Sequence, residues 1–133
     1  MNRVVLAAIF FIPMNMLLAA DLIQPSGVTI RNPRCHISGG KEYCRIYGSA
    51  NCDRYERHDV WYPKPLPAGK KAISGTGRAK QTEVRNTGSV RFMGAWNNPQ
   101  RKRSEMGCKF YCNAGWDDSF VYGYCQIEVE QWQ

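Results

Sequence analysis

Cys35-His36-Ile37-Ser38-Gly39-Gly40-Lys41-Glu42-Tyr43-Cys44 decides how this chain is read. Two cysteines stand symmetrically about a Gly-Gly pair, and two adjacent glycines supply the positive φ angles of a type I′ hairpin turn. Counting outward from that turn, Ser38 faces Lys41, Ile37 faces Glu42, His36 faces Tyr43 and Cys35 faces Cys44. In an antiparallel ladder the last of these is a non-hydrogen-bonded pair, with Cα atoms about 4.5 Å apart. A Cys35–Cys44 bridge is therefore feasible. It closes a short loop, so its effect on stability is modest. Bonds from Cys35, Cys44 or Cys52 to the C-terminal cysteines would constrain far more chain.

Those distal cysteines are Cys108, Cys112 and Cys125, and the pairing among the six is left open by the sequence alone. If Cys108 to Cys112 is a strand, its end residues share a face but lie about 13 Å apart, beyond disulfide reach, so each bonds elsewhere. An even cysteine count in a small chain reads as three disulfides in an oxidising compartment. A zinc site lacks its usual ligand spacing here. The residues point to no metal and no cofactor.

Met1 to Ala20 carries Arg3, an apolar run from Val4 to Ile12, then Pro13 and Asn15 before Leu17-Leu18-Ala19-Ala20. This reads as a secretory signal peptide, leaving one secreted domain over 21–133. A membrane span needs roughly 20 apolar residues, and the run is shorter and interrupted. The expected location is extracellular, with entry into a host cell left open.

The fold expected from the rest is all-β or β-rich α+β, a small disulfide-stapled antiparallel sandwich or barrel with one short helix at most. Val28 to Arg31 alternates like a half-buried strand. Gly48-Ser49-Ala50-Asn51 reads as a turn, and the charged stretch Asp53–Asp59 as a short helical turn. Val60-Trp61-Tyr62 returns to the core, with Trp61 and Phe92 as core residues. Pro63 to Lys71 is an extended basic connector, because alternate prolines favour polyproline II geometry. Ala72-Ile73 reads as an edge strand. Arg78 to Arg85 fits a solvated strand or a short helix. Ser89 to Met93 is a strand, followed by a loop from Gly94 to Pro99 that carries Trp96. The cleanest strand is the last: Val121, Gly123, Cys125, Ile127 and Val129 take one face, Tyr122 and Tyr124 the other.

Charge is uneven. The formal net charge is +7, yet residues 64–109 hold eleven Lys/Arg against Glu83 and Glu105, while 110–133 hold four acidic residues and no Lys/Arg. This asymmetry suits a polyanionic partner, a host protein surface or nucleic acid. Lys70, Lys71, Arg78, Arg101, Lys102 and Arg103 are the candidate binding residues. Lys102-Arg103 also has the form of a dibasic processing site. His36, His58, Glu56 and Arg57 are the residue types of a ribonuclease, but without a recognisable spacing. No residue is assigned a catalytic role.

The leader, the six cysteines in two clusters, the small basic β-rich body and Lys102-Arg103 together resemble the small cysteine-rich secreted proteins of fungi, effector-like or killer-toxin-like. The resemblance is one of architecture. It implies a monomeric effector or virulence-type protein that binds a host macromolecule. The alternatives are a toxin acting on anionic membranes through residues 64–109, and a ribonuclease-like enzyme.

Overall fold

The computed structural model describes residues 26–133, so the expected signal peptide lies outside the described residues. Among the described residues there are ten strands and no helix: β1 Val28–Ile30, β2 Arg34–Ser38, β3 Lys41–Cys52, β4 Arg57–Val60, β5 Pro63–Pro65, β6 Lys70–Ala72, β7 Arg78–Arg85, β8 Gly88–Asn98, β9 Arg103–Asn113 and β10 Ser119–Gln131. No helix among them is long and apolar enough to cross a membrane.

Two long antiparallel strands, β3 and β10, form the spine of the first sheet. β1 and β2 share the outer edge of β3, and β6 and β7 share the outer edge of β10. The second sheet is built on β9, with β8 along one side and β4 and β5 sharing the other. Each spine strand is thus flanked by pairs of short strands placed end to end. The sheets curl over one core of Ile46, Phe110, Met106, Val121 and Ile127, all essentially buried. Gly48 shows how closely they meet: a Cβ there would stand 2.5 Å from the Phe110 ring and 2.5 Å from the Thr29 carbonyl oxygen.

The hairpin register is the one counted from the sequence, with Cys35 opposite Cys44 and Ser38 opposite Lys41. Gly39 and Gly40 both have positive φ, as a type I′ turn requires. Cys35–Cys44 is a disulfide within the first sheet. The other two bonds cross between sheets. Cys52 of β3 joins Cys112 of β9, and Cys108 of β9 joins Cys125 of β10. Cys108, Phe110 and Cys112 share the inner face of β9, so this strand is stitched to both spine strands of the opposite sheet.

Several local expectations are corrected. Gly48 to Asn51 is no turn: β3 runs through it, because β1 and β10 pair with it from either side. Asp53 to Glu56 is a tight turn closed by Glu56 N–H to Asp53 O at 2.9 Å, and Arg57 begins a strand, so no helical turn forms. Pro63–Pro65 is a short edge strand, a position where the missing proline donors cost nothing. The strand after Ser89 does not stop at Met93. It continues to Asn98 through a bulge between Phe92 and Gly94.

Candidate functional site: an aromatic and cationic cleft beside the β8–β9 hairpin

The bulge in β8 sets up the most distinctive surface of the molecule. In an uninterrupted strand Phe92, Gly94 and Trp96 would share a face. The extra residue shifts the alternation, so Phe92 and Ala95 pack against the core while Trp96 is turned outward and half-exposed. Trp96 then meets Trp61, whose ring is near-parallel to it at 15° and 6.2 Å between centroids. Trp61 is placed by Gly107 of β9. A Cβ at that outward-facing position would lie 2.7 Å from the Trp61 ring, so only glycine lets the indole lie flat on the sheet. Trp61, expected in the core, is therefore a covering residue on the outer face of the second sheet. The result is two stacked indoles open to solvent.

Trp96 also borders a cleft of about 560 Å³. One wall is the segment from Pro65 to Ala68; the other is the end of the β8–β9 hairpin, including Arg101, Arg103 and Glu105. Hydrogen bonds hold both walls. Leu66 N–H donates to Ser104 O at 2.9 Å, which pins the proline-rich segment to β9. The Asn97 side chain reaches across to β6, donating to Ala72 O at 2.9 Å and accepting from Ala72 N–H at 3.1 Å. It also accepts from the Ser104 hydroxyl at 2.5 Å. The hairpin turn is closed by Arg101 N–H to Asn98 Oδ1, and Lys102 takes a positive φ of 51°.

The six cationic candidates separate cleanly. Arg101 and Arg103 come together at the cleft, and neither has an ion-pair partner among the described residues. Lys102 is in the same turn but does not line the cleft. Lys70 is half-buried, with Nζ 2.9 Å from the Glu42 carboxylate, so its charge ties β6 to β3. Lys71 lies 3.9 Å from Glu130 and over the Trp132 ring. Arg78 sits on β7 of the first sheet, opposite Gln126. Further along the outer face of the second sheet, Asp59 holds both Arg57 and Lys109, at 3.2 and 3.3 Å, and Arg91 stands beside them. Cations outnumber carboxylates on this face.

His36 and His58 are not brought together. His36 is on β2, beside Tyr43 in the first sheet. His58 is on β4 of the second sheet, 3.8 Å from Glu56. A two-histidine acid–base pair has no common site here.

A cut after Arg103 would begin a new chain at Ser104, which is almost fully buried and bonded on both its carbonyl and hydroxyl. The fragments would stay joined through Cys52–Cys112.

The Trp61–Trp96 pair and the Pro65–Ala68 wall are the parts of the site that sequence reading missed. Gly94, in the middle of an otherwise apolar strand, was the available signal of a bulge. Comparison of the chain with protein-family models, with curated proteins and with solved structures finds no match.

Proposed function

We propose that this chain is a secreted, effector-type binding protein that acts without catalysis, by docking an anionic macromolecule of a host in the cleft at the β8–β9 hairpin. The ligand class that fits best is an acidic polysaccharide. Flat exposed indoles stack on sugar rings, guanidinium groups form paired hydrogen bonds with carboxylate or sulfate, and the disulfide framework suits an extracellular setting. The single observation that carries the reading is the exposed Trp96, stacked on Trp61, lining one cleft with Arg101 and Arg103, two arginines without ion-pair partners among the described residues, against the one carboxylate of Glu105.

The membrane-active alternative gains no support from the fold. The basic stretch 64–109 is divided among β5 to β9 and so between two sheets, which breaks up the single cationic face such an activity uses.

Titration calorimetry with a short oligogalacturonate tests the proposal. Trp96→Ala should weaken binding about tenfold, corresponding to the loss of one stacked ring. Arg101→Ala/Arg103→Ala should weaken it further and flatten the salt dependence, because exposed charges are screened beyond about a Debye length. Unchanged affinity in both variants would sink the cleft as the binding site.

A further inference from the structure

The outer face of the first sheet carries a second concavity that the cleft does not explain. Asn32-Pro33 interrupts the edge between β1 and β2, since proline cannot continue the ladder. The chain therefore leaves the β3 ladder only at Asn32-Pro33, between Arg31, whose N–H donates to Tyr47 O at 2.9 Å, and Arg34, which pairs with Arg45. At this break is a groove of about 520 Å³, floored by Tyr47 and Tyr122 and edged by Arg31 and Arg34. Its size is that of a small-ligand site.

The groove is pre-arranged. Arg45 lies 4.2 Å over the Tyr124 ring, donates to the Tyr47 hydroxyl at 2.9 Å and donates to Gln126 Oε1 at 2.7 Å. Tyr47 and Tyr124 contact each other at 5.2 Å between centroids. These contacts lock Tyr47 in place and leave Tyr122 exposed beside it. No carboxylate lines the groove, and Arg31, Arg34 and Arg45 have no ion-pair partner among the described residues. The nearest acidic neighbour by register is Glu83, opposite Tyr122 on β7.

We propose that this groove is a second subsite for an anionic sugar residue, so that one molecule grips two segments of an acidic polysaccharide, one on each sheet. The inference rests on the reading of the cleft as an acidic-polysaccharide site. The two arginines clamp the carboxylate or sulfate, and the Tyr122 ring carries the sugar face. Because the two subsites lie on different sheets, a long polymer is bridged, and its apparent affinity exceeds that of either subsite through effective concentration.

The experiment uses the whole mature chain and two ligands, a short oligogalacturonate and long polygalacturonate. All four arginines in the tests are exposed, so the variants retain the fold; near-UV circular dichroism checks this. Calorimetry with the short ligand should count two sites in the wild type, one in Arg31→Ala/Arg34→Ala and one in Arg101→Ala/Arg103→Ala. The wild type should cross-link and precipitate the polymer, and either variant should not, with apparent polymer affinity falling about a hundredfold. Charge reversal, Arg31→Glu/Arg34→Glu, should give the same loss. One site in the wild type, abolished by Arg101→Ala/Arg103→Ala and untouched by Arg31→Ala/Arg34→Ala, overturns the second subsite while leaving the cleft reading intact. One site abolished only by Arg31→Ala/Arg34→Ala supports the groove and overturns the cleft. No binding of either ligand overturns both, and tighter binding of poly-uridine RNA in the groove overturns the ligand class.

Discussion

Removing Cys52–Cys112 should cost far more than removing Cys35–Cys44, although both bonds end on β3. The first spans a sequence separation of 60 residues and the second a separation of 9. Treating these as loop lengths, chain-entropy scaling puts their constraint on the unfolded state at about 4 and about 2.5 kcal/mol. Burial widens the gap. Cys52 and Cys112 are both fully buried between the sheets, so paired alanines leave a cavity there, adding about 1 to 2 kcal/mol. Cys44 is also fully buried, but its partner Cys35 is partly exposed at the sheet edge, so the space that pair leaves opens to water rather than forming an enclosed cavity. The expected losses are therefore about 5 to 6 kcal/mol for Cys52→Ala/Cys112→Ala and about 2.5 kcal/mol for Cys35→Ala/Cys44→Ala. The larger loss is comparable to the whole stability of many domains of this size, about 5 to 15 kcal/mol. Urea unfolding followed by tryptophan fluorescence measures both. With a slope of about 1.5 kcal/mol per molar, the midpoints should fall by about 3 to 4 M and by under 2 M. Free energies rather than midpoints decide the comparison, since removing a crosslink also enlarges the unfolded state. Equal losses, or a larger loss for Cys35–Cys44, would show that loop length and burial do not govern these bonds.

Two further perturbations test the packing. Gly48→Ala places a methyl group against a fixed backbone oxygen and the buried Phe110 ring, so it should destabilise the fold by about 2 to 3 kcal/mol, read as a lowered Tm; Phe110→Leu in the same background should recover part of the loss. An unchanged Tm would mean that the sheets are not in contact there. The bond after Arg103 should resist a dibasic-specific protease while the protein is folded, because Ser104 is held by Leu66 and Asn97, and should be cut once urea opens the hairpin. The cut product should run as one band until it is reduced, and rapid cleavage under native conditions would contradict the geometry.

How far the chain was legible depends on whether local rules were left undisturbed. The Gly39-Gly40 turn dictates its own register, because two positive φ angles in sequence admit few alternatives. The last strand was legible for a similar reason: β10 lies in the middle of its sheet with one face on the core, and its apolar residues alternate without interruption. Gly48-Ser49-Ala50-Asn51 misled because its composition is that of a turn. The glycine is there to let Phe110 approach, which is a fact about a strand some sixty residues away. Trp96 misled because Gly94 read as the start of a loop, whereas it marks a bulge through which β8 continues in register with β9. Trp61 misled because an indole can lie on the outside of a sheet, with one part against the strands and more than a third of its surface open. Each failure has the same physical source: a tertiary contact overrode a local preference.

The bonds that hold the sheets are not those that hold the cleft. On β9 the staple nearest the cleft is Cys108, and the hairpin from Asn98 to Arg103 extends beyond it. The walls of the cleft rest instead on the Leu66–Ser104 hydrogen bond and the Asn97 side chain. The stitched core makes the strand ends rigid supports, and a few hydrogen bonds then set the loop between them. A hairpin held in this way can change its turn residues without disturbing the core, because Pro99 to Lys102 are exposed and contribute nothing to it. The scaffold therefore tolerates variation at Gln100 and Arg101, exposed turn positions that border the cleft.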